Sequence, residues 1–358
     1  MPDLPLVTIV TPSYNQAEFL EYTIQSVLAQ DYCPVEYIVI DGASTDGSVD
    51  IIQRYAGGEK QNNLDRPIWW ISERDSGQAE AINKGLKRAH GEIIAWLNSD
   101  DLYLPGAISQ AVACLQANPD LGMVFADAIT IDAQGRPLNR LGFGDWGLAE
   151  LMGFRIICQP AVFMRRSILE KAGFLDPTYH FMLDHHLWLR MAQAAPVKHA
   201  RYLPHKNASA VKNPVWAASR HHQAAKNVSQ ATKFGEETLR LLGWIKSQPD
   251  LASAFAQNRR RILGGAYRLN ARYLLDGGKP WEALLSYARA LAYWPTYTLK
   301  HWHRMAYAML CLLRLDHLPA LAASVERLAS KNRKSDQLIA ELRSSSAAEN
   351  WPGLDLAQ

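Results

Sequence analysis

The chain has 358 residues with 38 Lys and Arg against 35 Asp and Glu, and 48% of its residues are hydrophobic. This composition excludes a disordered chain, a collagen-like repeat and a small disulfide-stapled protein. The four cysteines are too far apart for paired zinc or redox motifs, so we expect reduced structural thiols in a cytoplasmic protein. The longest apolar stretch, 305–313, is too short to span a membrane, and the first residues do not resemble a signal peptide.

The first half of the chain contains five short apolar runs, and each of the first four is followed by a helical pattern. The runs lie at 6–10, 35–40, 68–71, 92–97 and 123–126. Strands that alternate with helices predict an α/β fold, with a mostly parallel sheet covered by helices on both faces. Acidic residues end three of these strands, namely Asp41, the pair Asp100 and Asp101, and Asp127. Ligands bind at the carboxyl ends of parallel strands, so these acids indicate a site.

The pattern changes near residue 217, where strand signals stop and helical spacing of Ala, Leu, Arg and Trp begins. A break at 276–280 separates two helices, and the segment 265–295 resembles one tetratricopeptide-like helix pair. We therefore predict a catalytic domain at 1–216, an α-helical C-terminal region at 217–345 and a flexible tail at 346–358.

The charge is distributed unevenly along the chain. Residues 251–345 carry 15 Lys and Arg against 6 Asp and Glu, a net +9, whereas residues 1–250 have a net charge of −4. Aromatic residues interleave with the basic ones, among them Trp281, Trp294, Tyr297 and Trp302. One interpretation is peripheral contact with the inner membrane face or with a lipid-linked acceptor. The alternatives are a helical protein-interaction surface and an ordinary solvated helical surface.

Several ordered motifs span residues 6–205, more than half of the chain. They read TPSYN at 11–15, IDGASTDG at 40–47, ERDSGQ at 73–78, NKG at 83–85, WLNSDD at 96–101, CQPAVF at 158–163 and WLR at 188–190. Together they resemble the family 2 glycosyltransferases. That resemblance implies a GT-A fold, a nucleotide-sugar donor, a divalent metal (Mn²⁺ or Mg²⁺) and inversion at the anomeric carbon.

The resemblance also assigns donor-binding residues. Asp41 is similar to the family residue that accepts a hydrogen bond from a uracil-like base, while Thr11, Pro12 and Tyr14 shape the wall of the base and ribose pocket. A simpler reading of Asp41 is a turn-forming residue before Gly42, and both readings are compatible.

The pair Asp100 and Asp101 carries the metal prediction. Adjacent carboxylates repel each other unless a cation is present, and hard oxygen ligands suit a metal shared with a diphosphate. On its own, such a pair is more often a turn or a helix cap. By resemblance, Asp101 binds the metal and Asp100 contacts the ribose or a metal-bound water. Many relatives have Asp where this sequence has Asn98.

Further donor contacts follow from the same resemblance. Asp75, Asn83 and Lys84 help to frame the donor, although Asn83 and Lys84 alone would indicate a solvated helix face. His205 lies where some relatives have a histidine that contacts the metal or the diphosphate, and a basic surface loop is the alternative there.

Asp184 matches the position of the family's catalytic base, which removes the proton of the acceptor hydroxyl. The preceding residue is Leu183 rather than the usual Glu, and His185 and His186 follow. A charged imidazole nearby would lower the Asp184 pKa. A helix cap is the structural alternative for Asp184, and a zinc site with His180 is a weaker rival.

On the acceptor side, Trp146 and Gln159 lie where relatives contact the acceptor. The sequence therefore predicts an inverting, metal-dependent glycosyltransferase that uses a nucleotide diphosphate sugar, most simply a UDP-sugar. A saccharide or lipid-linked saccharide would be its acceptor, in polysaccharide or glycolipid synthesis, with no role for nucleic acid. Three alternatives remain: an inactive binding protein that acts through its helical region, a metal-free transferase, and a nucleotidyltransferase, for which the glycine-rich loop after the first strand is missing.

Overall fold

The computed structural model describes residues 4–57, 68–202, 214–222, 229–315 and 351–355. The chain divides into two compact units. The first unit comprises Met1–Gly147, Ile157–His221 and Lys334–Gln358, and the second comprises Leu148–Ile156 and His222–Arg333.

A seven-stranded, mostly parallel sheet forms the centre of the first unit. The five predicted strands are present in it as β1 (Val7–Ser13), β2 (Val35–Asp41), β3 (Trp69–Ser72), β4 (Ile93–Trp96) and β6 (Met123–Phe125). The strand order is β10-β6-β9-β4-β1-β2-β3, where β9 is Val162–Arg165 and β10 is Val197–His199. Only β9 runs antiparallel to its neighbours β4 and β6. The predicted fold class is thus confirmed.

Helices follow the predicted strands. These helices are amphipathic, because the apolar residues of each helix recur on one of its faces. They are α1 (Ala17–Leu28), α2 (Ser48–Ala56), α3 (Gln78–Arg88) and α4 (Ala107–Ala117). In α1, for example, Leu20, Ile24 and Val27 are buried at the spacing of one helix face. Two later helices, α6 (Arg166–Ala172) and α7 (Leu183–Ala194), complete this unit's described helices.

A second sheet of four strands was not predicted. Its strands are β5 (Leu102–Tyr103), β7 (Asp127–Ile131), β8 (Pro137–Leu141) and β11 (Val215–Arg220), in the order β5-β11-β7-β8. These strands are two to six residues long, and β11 pairs with segments about a hundred residues earlier. Such short strands give little periodic signal, so only long-range pairing defines them.

The described part of the second unit consists of helices. They are α5 (Leu148–Met152), α8 (Ala231–Ser247), α9 (Ala252–Asp276), α10 (Pro280–Tyr293), α11 (Pro295–Thr298) and α12 (Trp302–Leu312). The break between α9 and α10 lies where the sequence predicts it. However, α9 alone has 25 residues, so this helix pair is longer than a 34-residue tetratricopeptide unit.

Two of the predicted domain limits need correction. The limit at residue 216 falls inside β11, which belongs to the sheet of the first unit. The predicted flexible tail includes residues 351–355, and these pack on the first unit: the Trp351 indole N–H donates to the Tyr103 carbonyl at 2.6 Å. Within the described ranges, no helix combines the length and apolarity needed to cross a membrane.

Candidate active site

The loops after β1 and β2 are tied together by hydrogen bonds. Asn15 accepts from the Thr45 N–H through its side-chain oxygen at 2.9 Å, and its own N–H donates to Ser44 Oγ at 2.8 Å. The Ala17 N–H, at the start of α1, donates to the Asp46 carboxylate of the neighbouring loop at 2.9 Å. These bonds fix one wall of the site before any ligand binds.

Asp41 is the last residue of β2, and it is fully buried. Its Oδ2 accepts the Ser44 N–H at 2.9 Å and the Ser72 hydroxyl at 2.7 Å, while its Oδ1 accepts the Ser44 hydroxyl at 2.5 Å. A carboxylate offers about four acceptor positions, so these bonds orient Asp41 and leave acceptor capacity on Oδ1.

Gly42 shows how closely the predicted donor residues approach one another. A Cβ added at Gly42 would lie 2.9 Å from Asp75 Oδ2 and 3.2 Å from Tyr14 Cδ2. The Tyr14 side chain is 62% exposed, and the other oxygen of Asp75 accepts the Gly77 N–H at 2.8 Å. Tyr14, Asp75 and the residue after Asp41 therefore surround one point, which only glycine leaves open.

The position of Thr11 and Pro12 differs from the predicted pocket wall. Both residues are buried in β1. The Thr11 hydroxyl hydrogen-bonds the Tyr37 hydroxyl at 3.0 Å inside the core. The Thr11 hydroxyl is therefore occupied within the core, whereas Pro12 faces the opposite side of the sheet because successive residues of a strand alternate between its faces, and its predicted contact with the nucleotide stays a prediction.

Asn83 and Lys84 are held by protein groups. The Asn83 amide donates to the Leu175 carbonyl at 2.8 Å and accepts the Leu175 N–H at 3.0 Å. Lys84 forms ion pairs with Glu73 at 2.7 Å and Glu80 at 3.5 Å. Both ends of the Asn83 amide therefore anchor the chain at Leu175, and its role in framing the donor stays a prediction. Lys84 lies on the helix surface, as the simpler reading has it.

Asp101 occupies the turn after β4, and its side chain is almost completely enclosed. It is 4% exposed, and its Oδ1 accepts the main-chain N–H of Arg220 at 3.0 Å. Its Oδ2 accepts the Asn98 amide at 3.3 Å. The Asp101 carbonyl accepts the Thr23 hydroxyl at 2.8 Å, so α1 also holds the turn.

Amide side chains form a network beside this carboxylate. Asn98 accepts from Gln78 at 2.9 Å and donates to Gln159 at 3.1 Å. Gln159 in turn donates to the Trp96 carbonyl at 2.7 Å. The structure thus places Gln159, a predicted acceptor-side residue, within the hydrogen-bond network of Asp101.

The electrostatics of the turn favour a cation. Burial, and then the neighbouring Asp100, raise the pKa of Asp101 to about 8. A bound cation reverses this effect because it stabilises the ionised form. Among the described residues, no group of three His, Cys, Asp or Glu side chains is arranged to hold a metal by itself. The residues present fit a metal that takes its remaining ligands from a diphosphate and water, which is how Mg²⁺ commonly binds beside phosphates.

Asp184 is brought towards the same region by α7. It is the second residue of that helix, and its Oδ1 accepts the His185 N–H at 2.7 Å. Burial raises the pKa of the Cys158 thiol, and the charges of Asp101 and then Asp184 raise it further. Both carboxylates therefore lie within electrostatic range of one thiol.

The surroundings of Asp184 are aromatic and largely buried. His185 and His186 are 1% and 4% exposed, and the His186 ring lies 4.5 Å from that of Tyr179. The Trp188 and Trp96 rings stack with their centroids 5.1 Å apart. This contact joins α7 to β4, the strand that precedes the Asp100–Asp101 turn. The rival zinc site around His180 finds no support among the described residues.

The remaining predicted residues have separate outcomes. Trp146 is half-buried and packs against Phe143 and Phe125, with ring centroids at 5.4 and 6.5 Å. Its predicted contact with the acceptor stays a prediction. His205 lies outside the described residues, and so does any contact that it makes.

Asp127 does not belong to the candidate site, although its place in the sequence suggested it. It begins β7 and is fully buried, with Arg140, Arg201 and His199 each at 2.9 Å. Burial alone would raise the pKa of Asp127, but the hydrogen bonds from His199, the Phe143 N–H and Arg140 outweigh it and lower the pKa. Asp127 therefore serves the structure, and its charge is already compensated.

Arg220 is the important residue that the sequence did not reveal. It lies 119 residues after Asp101, at the end of an unpredicted strand, yet it donates to that carboxylate. Ser72 and Gln78 were likewise missed. An arginine after a short strand carries no motif of its own, so only the pairing of β11 with β5 and β7 brings it to the turn.

Comparison with known proteins agrees with this geometry. The sequence profile described as Glycosyl transferase family 2 matches residues 8–173, which contain β1 to β9 and the Asp100–Asp101 turn. Residues 8–173 are thus similar to glycosyltransferase family 2. The resemblance stated from the motifs is thereby confirmed for this part of the chain.

One relative shows how much of another protein's length this chain matches. TuaG of Bacillus subtilis, named as a putative teichuronic acid biosynthesis glycosyltransferase, is 44% identical over 100 residues, which are 28% of this chain and 37% of TuaG. The chain thus matches little more than a third of that relative's length.

Two solved structures have a similar fold. TarS 1–349 of S. aureus in complex with UDP-GlcNAc has a TM-score of 0.54 at 16% identity, covering 84% of this chain and 90% of that one. The mannosyltransferase PcManGT of Pyrobaculum calidifontis, in complex with GDP-Man and Mn²⁺, has a TM-score of 0.54 at 21% identity, covering 88% of each chain. At these identities the likeness supports the GT-A fold and no finer property.

Proposed function

We propose that the chain is an inverting, metal-dependent glycosyltransferase that moves a sugar from a nucleotide diphosphate sugar to a hydroxyl group. One observation carries the proposal: a unit similar to family 2 whose β4 turn holds an enclosed carboxylate, Asp101, next to a second acid, Asp100. A buried acid that stays ready for a cation, beside a second acid, is the arrangement that a metal-bound diphosphate requires.

The nucleotide would bind over the loops after β1 and β2. Asp41 is already oriented by Ser44 and Ser72, and its Oδ1 can accept the N–H of a uracil ring. The exposed Tyr14 ring offers a face for the base, and Asp75 lies beside it. We favour a UDP-sugar on this basis, while a GDP-sugar is the competing donor because guanine also presents a ring N–H.

Asp101 would hold the metal, with Asp100 and His205 as further contacts to the metal, its water or the ribose. When bound there, Mn²⁺ or Mg²⁺ would supply positive charge that offsets the negative charge of the leaving nucleoside diphosphate. Asn98, Gln78 and Gln159 keep the Asp101 carboxylate in one orientation through their amide network. This preorganisation avoids a reorientation cost during the reaction.

Asp184 would remove the proton from the acceptor hydroxyl as that oxygen attacks the anomeric carbon. A single displacement from the face opposite the diphosphate inverts that carbon and needs no covalent intermediate. The His185 N–H donates to Asp184 Oδ1 at 2.7 Å and thereby helps to orient the carboxylate that would take the proton. Trp146 would stack on the acceptor sugar from its aromatic cluster.

The acceptor would be a saccharide or lipid-linked saccharide in the synthesis of a surface polysaccharide or glycolipid. The name of TuaG, which refers to teichuronic acid, supports this class of product. We place the reaction in the cytoplasm, where nucleotide sugars are made.

The helical unit would bring the enzyme to the inner membrane face. Residues 252–315 contain ten Lys and Arg against two Asp and Glu. On α10, Trp281 and Leu285 are 59% and 47% exposed, one turn apart, while Ala283 and Tyr287 of the same helix are buried on its other side. An outward apolar stripe on a strongly basic unit matches an anionic lipid surface.

Vesicle flotation tests this membrane contact. We expect the protein to float with phosphatidylglycerol vesicles but not with phosphatidylcholine vesicles, and Trp281→Ser with Leu285→Ser to abolish flotation. Equal recovery with both lipids would refute the contact. A concentration-dependent dimer lost in the same variant would instead identify a self-association surface.

Ligand-induced stabilisation tests the donor and the metal together. The melting temperature is measured with UDP, GDP or dTDP, each with and without Mn²⁺, because a ligand that binds only the folded state raises it. We expect a rise with UDP that needs Mn²⁺ and disappears in Asp101→Ala, whereas the surface variant Lys84→Ala keeps it. No rise with any nucleotide would favour an inactive binding protein that acts through its helical unit.

Sugar transfer is then measured with the nucleotide sugar selected in this way. Asp184→Asn is expected to lose about 10²- to 10⁴-fold in turnover, the usual contribution of a general base, while its nucleotide binding is retained. If Asp184→Asn transferred sugar at the wild-type rate, another residue would be the base.

A further inference from the structure

Arg220 connects three separate segments of the first unit. It is 4% exposed, and its Nε donates to the Asp100 carbonyl at 3.0 Å. Its Nη1 donates to the Asp132 and Ala133 carbonyls at 3.0 and 2.9 Å, in the turn between β7 and β8. Its Nη2 lies 3.5 Å from the Gly353 carbonyl. One planar guanidinium thus connects the Asp100–Asp101 turn with two other segments of the backbone.

Carbonyl oxygens accept all of these hydrogen bonds. This determines where the positive charge of Arg220 lies relative to the Asp100–Asp101 turn. The hydrogen bonds of the guanidinium leave its positive charge beside Asp100 and Asp101 without placing a nitrogen on the Asp101 carboxylate. Instead, the main-chain N–H of Arg220 fixes Asp101 Oδ1 at 3.0 Å. Arg220 therefore orients the predicted metal ligand and leaves it able to bind a cation.

Residues 351–355, which we call the clasp, pack against β5, the second sheet and the turn between β7 and β8. The Trp351 indole donates to the carbonyl of Tyr103, two residues after Asp101, at 2.6 Å. Leu354 packs against the apolar cluster formed by the second sheet. The Asp355 N–H donates to the Gly135 carbonyl at 3.0 Å. The clasp thus grips both β5 and the turn between β7 and β8.

Gly353 makes the close fit of the clasp possible. Its φ is +73°, a conformation that glycine adopts readily. A Cβ at this position would lie 2.7 Å from Tyr22 Cβ. The clasp is therefore seated in a single position, with its carbonyl turned towards Arg220.

We propose that Arg220 and the clasp form a positioning device that holds the Asp100–Asp101 turn in its metal-binding geometry. The inference rests on the proposed function, because it assumes that Asp101 binds the divalent metal. Groups that orient a metal ligand commonly change metal affinity 10- to 100-fold when they are altered. Arg220 and Trp351 touch neither substrate nor metal, and they act through the main chain on either side of Asp101.

The experiment measures Mn²⁺ affinity of the full-length protein with saturating UDP, by electron paramagnetic resonance of free Mn²⁺. Trp351→Phe keeps the aromatic ring and removes the donor to Tyr103, while Arg220→Lys keeps the charge and removes the three-way brace. We expect the Mn²⁺ dissociation constant to rise about 10-fold or more in each. Turnover of Trp351→Phe at saturating Mn²⁺ should return to the wild-type value.

Arg165→Lys is the matched control, because Arg165 also braces carbonyls, those of Leu121 and Leu115, at a distant part of the first sheet. A purely structural role would lower the melting temperature of all three variants and leave their Mn²⁺ affinity unchanged. Mn²⁺ affinities of Trp351→Phe and Arg220→Lys within twofold of the wild type would overturn the inference. Loss of Mn²⁺ binding in Arg165→Lys alike would also overturn it.

A parallel measurement of UDP binding, by melting temperature with and without Mn²⁺, separates the two levels of the proposal. If the wild-type protein bound UDP without Mn²⁺, the metal in the proposed function would be refuted, and the positioning role with it. If the wild type bound Mn²⁺ and the variants bound it equally well, only the positioning role would be refuted.

Discussion

Two buried carboxylates in the first unit have opposite environments. Asp127 lies among Arg140, Arg201 and His199, and its pKa is lowered. Asp101 lies beside Asp100, with amide and main-chain donors, and its pKa is raised to about 8. Arginine side chains form ion pairs with the first carboxylate, whereas the Arg220 guanidinium beside the second carboxylate donates to carbonyl oxygens instead. That difference distinguishes a structural acid from one that is kept for a ligand, although both residues follow or begin strands at the same edge.

Replacing Asp101 should produce the largest change in activity. Asp101→Asn keeps the size of the side chain and an acceptor for the Arg220 N–H, but it removes the charge that binds the metal. Because a metal supplies several kcal/mol of charge stabilisation, we expect turnover to fall about 10³-fold or more. Steady-state transfer with saturating Mn²⁺ measures this, and turnover within tenfold of the wild type would contradict the metal assignment.

Replacing Asp127 should instead produce the largest change in stability. Asp127→Asn leaves the charges of Arg140 and Arg201 without their carboxylate, and breaking a buried ion pair in this way costs about 3–5 kcal/mol. We expect about 3 kcal/mol, because both arginines keep some contact with solvent. Urea unfolding measures the change. Asp101→Asn in the same assay serves as the comparison and should not be destabilised.

The two acids should also respond oppositely to pH. The Asp101 pKa is raised, so the folded state binds more protons than the unfolded state between about pH 4 and pH 8. Its contribution to stability therefore decreases as the pH rises through that window. The lowered Asp127 pKa contributes stability that is present above about pH 4 and is lost as the pH falls below it.

Melting curves in EDTA from pH 3 to pH 9 test this pair of slopes. Asp101→Asn should lose the decrease between pH 4 and pH 8, and Mn²⁺ with UDP should oppose it in the wild type. A wild-type curve that rises steadily with pH over this window, unchanged by Asp101→Asn, would show that Asp101 is ionised without a cation.

A smaller effect is expected at Asp41, where neutral hydroxyl groups provide the orientation. Ser72→Ala removes one of three hydrogen bonds to Asp41, and such a bond contributes about 0.5–1.5 kcal/mol. We expect the donor KM to rise about 2- to 10-fold while turnover changes little. Initial rates at varied UDP-sugar measure this, and a large loss of turnover at unchanged KM would argue that Asp41 acts on the reaction step.

The local pattern of the sequence was sufficient for five of the seven strands of the first sheet and for part of the site. Apolar runs followed by helix patterns predicted β1, β2, β3, β4 and β6, because each is a local signal of several residues. The motifs placed Asp41 and Asp101 at the ends of strands, where the structure has them. The helix break after α9 was likewise marked by Gly277 and Gly278.

The role of a polar residue depended on contacts that the sequence does not show. Asn83 resembles a donor-binding residue, yet its amide is consumed by the backbone of Leu175, 92 residues later. Asp127 ends an apolar run as Asp101 does, but Arg140, Arg201 and His199 from later segments surround it. A polar side chain can form only a limited number of hydrogen bonds. The protein groups that already bind it therefore determine how many remain for a ligand.

The sequence by itself determined the resemblance to family 2, the parallel sheet and the acids that end its strands, because each of these is encoded in neighbouring residues. Only the tertiary structure decided which acid is paired with cationic side chains, and which distant groups hold the other. Arg220 and Trp351 reach the Asp101 turn from 120 and 248 residues away along the chain, through β11 and the clasp. Such contacts depend on how remote segments pair and pack, and local sequence patterns contain no record of that pairing.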